Sequence, residues 1–103
     1  MKMLKSKEER LYNGIVKICK KMHISFQKDL SYNGDWHLQF RKRYGYPQNR
    51  KYDFYGIEYT ECYISKDDVQ NRLNYRILSD LKSFLKISFK NIDRRRSQNE
   101  HSK

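Results

Sequence analysis

Apolar residues near the start of the chain return at helical spacing. Leu11, Ile15, Ile18 and Met22 form a stripe, widened by Tyr12, Val16 and Cys19, while Arg10, Lys17 and Lys21 recur on the opposite side. Ser6-Lys7-Glu8-Glu9 fits a capping box, in which the Ser6 hydroxyl accepts the Glu9 amide and the Glu9 side chain reaches back. The pattern predicts a helix over about 6–22, apolar inward and basic outward. Gly14 within it costs about 1 kcal/mol relative to alanine.

The period then changes from helical to alternating. Ile24, Phe26 and Leu30 share one parity, and after Ser31-Tyr32-Asn33-Gly34 the residues Trp36, Leu38 and Phe40 share another. Asn-Gly between two alternating runs signals a hairpin with a type I′ turn, both central residues having positive φ. Strands are expected at about 23–30 and 35–43, with His37, Gln39, Arg41 and Arg43 on the outward face of the second. Residues 44–51, punctuated by Gly45 and Pro47, read as a loop. A β-rich stretch follows from Tyr52 to Ile64. Its parity is ambiguous, so either both faces are partly covered or Gly56 marks a bulge.

Ser65-Lys66-Asp67-Asp68 is a second helix start. Val69, Leu73, Ile77, Leu81, Phe84 and Leu85 form the inward stripe of one long helix over about 66–91, with Arg72, Arg76, Lys86 and Lys90 roughly opposite. The predicted fold is α+β in α-β-β-β-α order: an antiparallel three-stranded sheet with two helices packed on one face. Residues 1–92 are expected to form one small basic domain and 93–103 a basic, disordered C-terminal tail.

Charge changes the picture more than composition does. The 103 residues carry a formal +11, and the excess is uneven. Residues 1–30, 41–52 and 69–103 are strongly basic, while 53–68 are net acidic. Tyr44, Tyr46 and Tyr52 interleave with Arg41, Arg43, Arg50 and Lys51. Cations release counterions on phosphate, and aromatic faces stack on unpaired bases. The expected ligand is therefore nucleic acid, RNA or DNA. The expected contacts are Arg10, Lys17 and Lys21, the loop residues Arg41, Arg43, Tyr44, Tyr46, Arg50 and Lys51, and Arg72, Arg76, Lys86 and Lys90. An apolar run long enough to span a membrane is lacking, and neither basic helix pairs its charge with a spare apolar face, so a membrane partner is not expected. With two cysteines and no secretory leader pattern, reduced thiols in a cytoplasmic compartment are expected.

Catalytic and metal signals are sparse. Cys19 and His23 stand four apart without further ligands in pattern, so no metal and no cofactor are expected. His37 beside Arg41 and Arg43 is the minimum for general-base RNA cleavage with cations stabilising the phosphorane. The element order resembles the double-stranded-RNA-binding-domain fold. The stretch Gly34-Asp35-Trp36-His37-Leu38-Gln39-Phe40-Arg41-Lys42 is loosely similar to the Gly-Ser-His segment of small toxin ribonucleases of the HicA type, with Trp36 in place of the serine. That resemblance implies a catalytic His37; the simpler expectation is a surface histidine on a strand. An acidic start to the last helix, Asp67 and Asp68, argues against docking on duplex RNA as that fold does. The leading expectation is a non-enzymatic nucleic-acid-binding protein. The alternative is a phage or mobile-element accessory protein, such as an anti-defence inhibitor, that binds a host nucleic-acid-processing protein. A small toxin-like ribonuclease and a ribonucleoprotein subunit rank lower.

Overall fold

Local signals at both ends of the first helix fix its length. The computed structural model describes residues 6–44 and 56–101, and in it α1 spans Lys7–Met22. The Ser6 hydroxyl accepts the Glu9 amide at 3.1 Å. At the other end His23 takes the left-handed conformation (φ 58°). The Ile24 amide then donates to the Cys19 carbonyl and the His23 amide to that of Lys20, the double closure of a Schellman motif. Leu11, Ile15 and Cys19 are buried.

Three antiparallel strands follow, β1 (Ser25–Leu30), β2 (Trp36–Tyr44) and β3 (Gly56–Ile64), in spatial order β1-β2-β3. The first connection differs from the expected two-residue type I′ turn. Leu30 pairs with Trp36, so five residues, Ser31–Asp35, make the loop. Of the Asn-Gly pair only Gly34 has positive φ, at 90°. The Ser31 hydroxyl accepts the Asp35 amide at 3.0 Å, which closes the wider loop in place of the tighter turn. Asp35 Oδ1 in turn accepts the Lys66 amide at 2.8 Å, tying the loop to the helix that starts there.

The alternation of β2 is clean. Trp36, Leu38 and Phe40 are buried beneath the helices, while Arg41 and Arg43 are exposed on the other face. β3 has one register along its length, from Trp36↔Ile64 to Tyr44↔Gly56, with no bulge. The ambiguous parity resolves accordingly: Glu58, Thr60, Cys62 and Ile64 face the helices, and Ile57, Tyr59, Glu61 and Tyr63 face away.

The last helical region is two helices, not the expected one. α2 (Lys66–Asn71) is capped by Ser65 and ends where Arg72 turns extended (ψ 145°); α3 (Asn74–His101) begins two residues later. Lys7 Nζ donates to Asn74 Oδ1 and to the Val69 carbonyl, and Asn74 Nδ2 donates back to the Lys7 carbonyl. These bonds pin the start of α1 to the α2–α3 junction. Leu73, expected inward, is 55% exposed at that junction. The acidic turn of Asp67 and Asp68 belongs to α2, so the longest helix begins with no acidic residue in its first turn.

The other end of α3 also differs from expectation. The helix continues past residue 91 to His101, where a tail from 93 onwards was expected. Phe89 and Ile92 extend the buried stripe of Ile77, Leu81 and Leu85. Arg96 Nη1 meets Glu58 Oε2 of β3 at 2.7 Å. The described residues therefore form one small α+β domain with the helices on one face of the sheet, as expected. No helix among them is long and apolar enough to cross a membrane.

Candidate nucleic-acid interface

Two surfaces gather the functional residue types, and they lie on opposite sides of the domain. The first is a groove of about 660 Å³ between α1 and α3. Its polar walls are Arg10, Asn13 and Lys17 from α1 and Tyr75, Ser79 and Lys82 from α3; Gly14, Ile18 and Leu78 complete the lining. Among the described residues, no acidic side chain lines it. The helices approach closely because residue 14 has no side chain. A Cβ there would stand 2.5 Å from Leu78 Cδ1, so the glycine that weakens α1 locally is what lets α3 settle against it.

Lys21 follows Lys17, and Lys86 follows Lys82, each one helical turn on, extending both basic walls. Arg10, Lys17, Lys21, Lys82 and Lys86 are all exposed. None takes part in the four ion pairs found among the described residues. Lys90 continues the α3 row, and the Arg76 guanidinium lies 5.6 Å from the Tyr75 ring centre beside the groove.

Arg72 and Tyr44 are occupied elsewhere. Arg72 lies outside α3 and pairs with Asp80. Tyr44 is not in a loop but ends β2 on the helix-facing side. Its hydroxyl donates to Asp93, the Arg96 guanidinium lies 4.3 Å from its ring centre, and Lys42 Nζ lies 5.1 Å away on the same ring. Burial first, then the hydrogen bond to Asp93, pushes its hydroxyl well above the usual tyrosine range. Tyr44 thus fastens α3 to the sheet and does not offer a free stacking face. Tyr46, Arg50 and Lys51 lie outside the described residues.

The second surface is the sheet face turned away from the helices. Arg41 sits directly across from Tyr59, and Arg43 across from Ile57. Tyr59 and Tyr63 are each 62% exposed. Gln39, Tyr59, Thr60 and Glu61 line a shallow cavity of about 280 Å³. At the far end His37 stacks on Tyr63, with centroids 4.4 Å apart and planes 13° from parallel, and its Nε2 lies 2.9 Å from Glu61 Oε2. His37 is therefore held by two neighbours on β3, one of them acidic.

Sequence reasoning missed Lys82, Tyr59 and Tyr63 as surface candidates. Lys82 escaped because the basic stripe was phased opposite the core, whereas the groove runs along the flank of α3. The tyrosines escaped because their parity needed the β2 register to settle it. His23 serves as the α1 cap, and no group of three or more metal-binding side chains occurs among the described residues.

Both cysteines are free thiols, Cys19 buried and Cys62 half-buried. Burial pushes each from the ordinary 9.0 to about 11, with the nearby Glu61 charge adding to the effect at Cys62. At pH 8 both are expected to react with iodoacetamide more slowly than free cysteine. The folded values lie above the unfolded ones, so this contribution to stability is whole below pH 9 and is lost as pH rises through 11. Denaturant midpoints measured across that interval are expected to fall.

Comparison of the chain with protein-family models, with curated proteins and with solved structures finds no match.

Proposed function

We propose that this chain is a non-enzymatic nucleic-acid-binding protein that seats a phosphate backbone in the groove between α1 and α3. The observation that carries the reading is the groove itself: Arg10, Lys17 and Lys82 line it, with no acidic side chain among its described lining residues. Cations left without carboxylate partners on a folded surface repel one another, and a polyanion relieves that repulsion while releasing its own counterions. Asn13, Ser79 and Tyr75 add hydrogen-bonding groups between the charges, as backbone-positioning contacts require. Such contacts track phosphate and carry no base sequence, so RNA and DNA are both ligands of the groove.

Binding of a labelled duplex, measured by fluorescence anisotropy across a salt series, tests this reading. Three to five phosphate contacts give a log–log slope of about −3 to −4.5. A slope near zero would mean that no counterions are released, and the reading fails.

A further inference from the structure

The groove accounts for the charge on the helices but leaves the opposite side of the domain unexplained. There Ile57, Tyr59 and Tyr63 stand exposed along β3, next to Arg41 and Arg43 on β2. Among the described residues no element covers this face, since the helices pack on the other side. Cross-strand neighbours in an antiparallel pair hold their side chains about 5 Å apart, so Arg41 and Tyr59 act as one unit, and Arg43 is the next cation along.

We infer that this sheet face is a second binding surface, specific for unpaired nucleotides: Tyr59 stacks a base, Arg41 and Arg43 hold the phosphates beside it, and Tyr63 offers a second ring further along. The inference rests on the nucleic-acid reading of the chain and adds a substrate class to it.

Three features favour a single strand over a duplex. A flat sheet presenting tyrosine rings matches the π-face of a splayed base, which a duplex keeps inside its stack. The charge is graded: two arginines flank Tyr59 and Ile57, whereas Glu61 and Asp29 lie toward the His37 end. Phosphate is thereby directed to one end of the face. Glu61 and Gln39 also line the shallow cavity at Tyr59. A carboxylate there repels phosphate but accepts hydrogen bonds from the exocyclic amino group of an exposed base edge, and the Gln39 amide can donate and accept in the same plane. The His37 stack and hydrogen bond hold Tyr63 and Glu61 in position before any ligand arrives.

The test uses the full chain, a fluorescein-labelled mixed-sequence single strand and the same sequence annealed as a duplex. Tyr59→Ala is expected to weaken single-strand binding roughly 5- to 150-fold while duplex affinity and its salt slope stay unchanged. Tyr59→Phe, which keeps the ring, is expected to bind the strand as the parent does. Tyr59 is exposed, so unchanged circular dichroism and melting temperature should accompany both substitutions. Intact duplex binding with a single-strand affinity indifferent to Tyr59→Ala overturns the inference and leaves the groove reading standing. Failure of the parent chain to bind either probe overturns both. If sedimentation shows self-association that Tyr59→Ala abolishes while strand affinity is unmoved, the face is occupied by a second copy of the chain and the inference falls.

Discussion

Reversing Arg10, Lys17, Lys82 and Lys86 to glutamate is expected to weaken duplex binding by about three orders of magnitude or more at 0.1 M salt. Each phosphate contact contributes roughly 0.9 to the log–log slope, and hence close to one decade of affinity at that concentration. Losing four contacts therefore removes most of the electrostatic affinity, and four new carboxylates add repulsion. The slope should flatten by about 3 to 4 in the same titration. All four side chains are exposed and none is in an ion pair among the described residues, so the fold is expected to tolerate their loss. Reversing four lysines and arginines away from the two walls should cost far less. Equal losses from both sets would mean that net charge, rather than the groove, governs binding.

Phe40→Ala is expected to destabilise the domain by about 3–5 kcal/mol, read as a fall in denaturant midpoint or a drop in melting temperature of tens of degrees. Phe40 sits on the central strand, fully inaccessible to solvent, with its ring stacked on Phe26 at 6.0 Å. Cutting it to a methyl group leaves a cavity between the sheet and the helices that the surrounding Leu11, Ile15 and Leu38 cluster cannot readily refill. A domain of this size has net stability on the order of 5–15 kcal/mol, so the loss can unfold a large share of the molecules at 37 °C. Phe40→Leu should retain most of the lost stability. A loss under 1 kcal/mol for the alanine variant would contradict the buried position of this ring.

Much of the fold was legible because local and global preferences agree. The cap at Ser6, the apolar spacing through Met22 and the alternation of Trp36, Leu38 and Phe40 each specify the element that forms, and that alternation also places Arg41 and Arg43 outward. The break between α2 and α3 was not legible. Val69, Leu73 and Ile77 keep helical spacing straight through it, and the interruption coincides with bonds from Lys7, more than sixty residues away. Neither was the length of α3 evident. A run such as Asp93-Arg94-Arg95-Arg96 looks like a solvated tail until Tyr44 and Glu58 are seen to receive Asp93 and Arg96. The two candidate surfaces were half visible. Charge counting found the helices, but only the close approach at Gly14 shows that their flanks meet in one groove. Composition alone makes Tyr44 a stacking residue, whereas strand parity commits it to the helix side and gives the exposed positions to Tyr59 and Tyr63.

The absence of a side chain at Gly14 has a consequence for how the molecule responds to ions. By bringing α3 against α1 it also brings Arg10 and Lys17 toward Lys82, so the native state concentrates like charges that the unfolded chain keeps apart. That crowding works against the helix–helix contact, and dissolved salt relieves it by screening. The same salt competes with a bound polyanion for the groove. Added electrolyte is therefore expected to steady the empty protein and, on the nucleic-acid reading, to weaken polyanion binding, the two effects sharing one origin. On the nucleic-acid reading, a phosphate chain would relieve the same crowding, and to the extent that it prefers the assembled walls to the unfolded basic chain, occupancy of the groove would add to the stability of the fold.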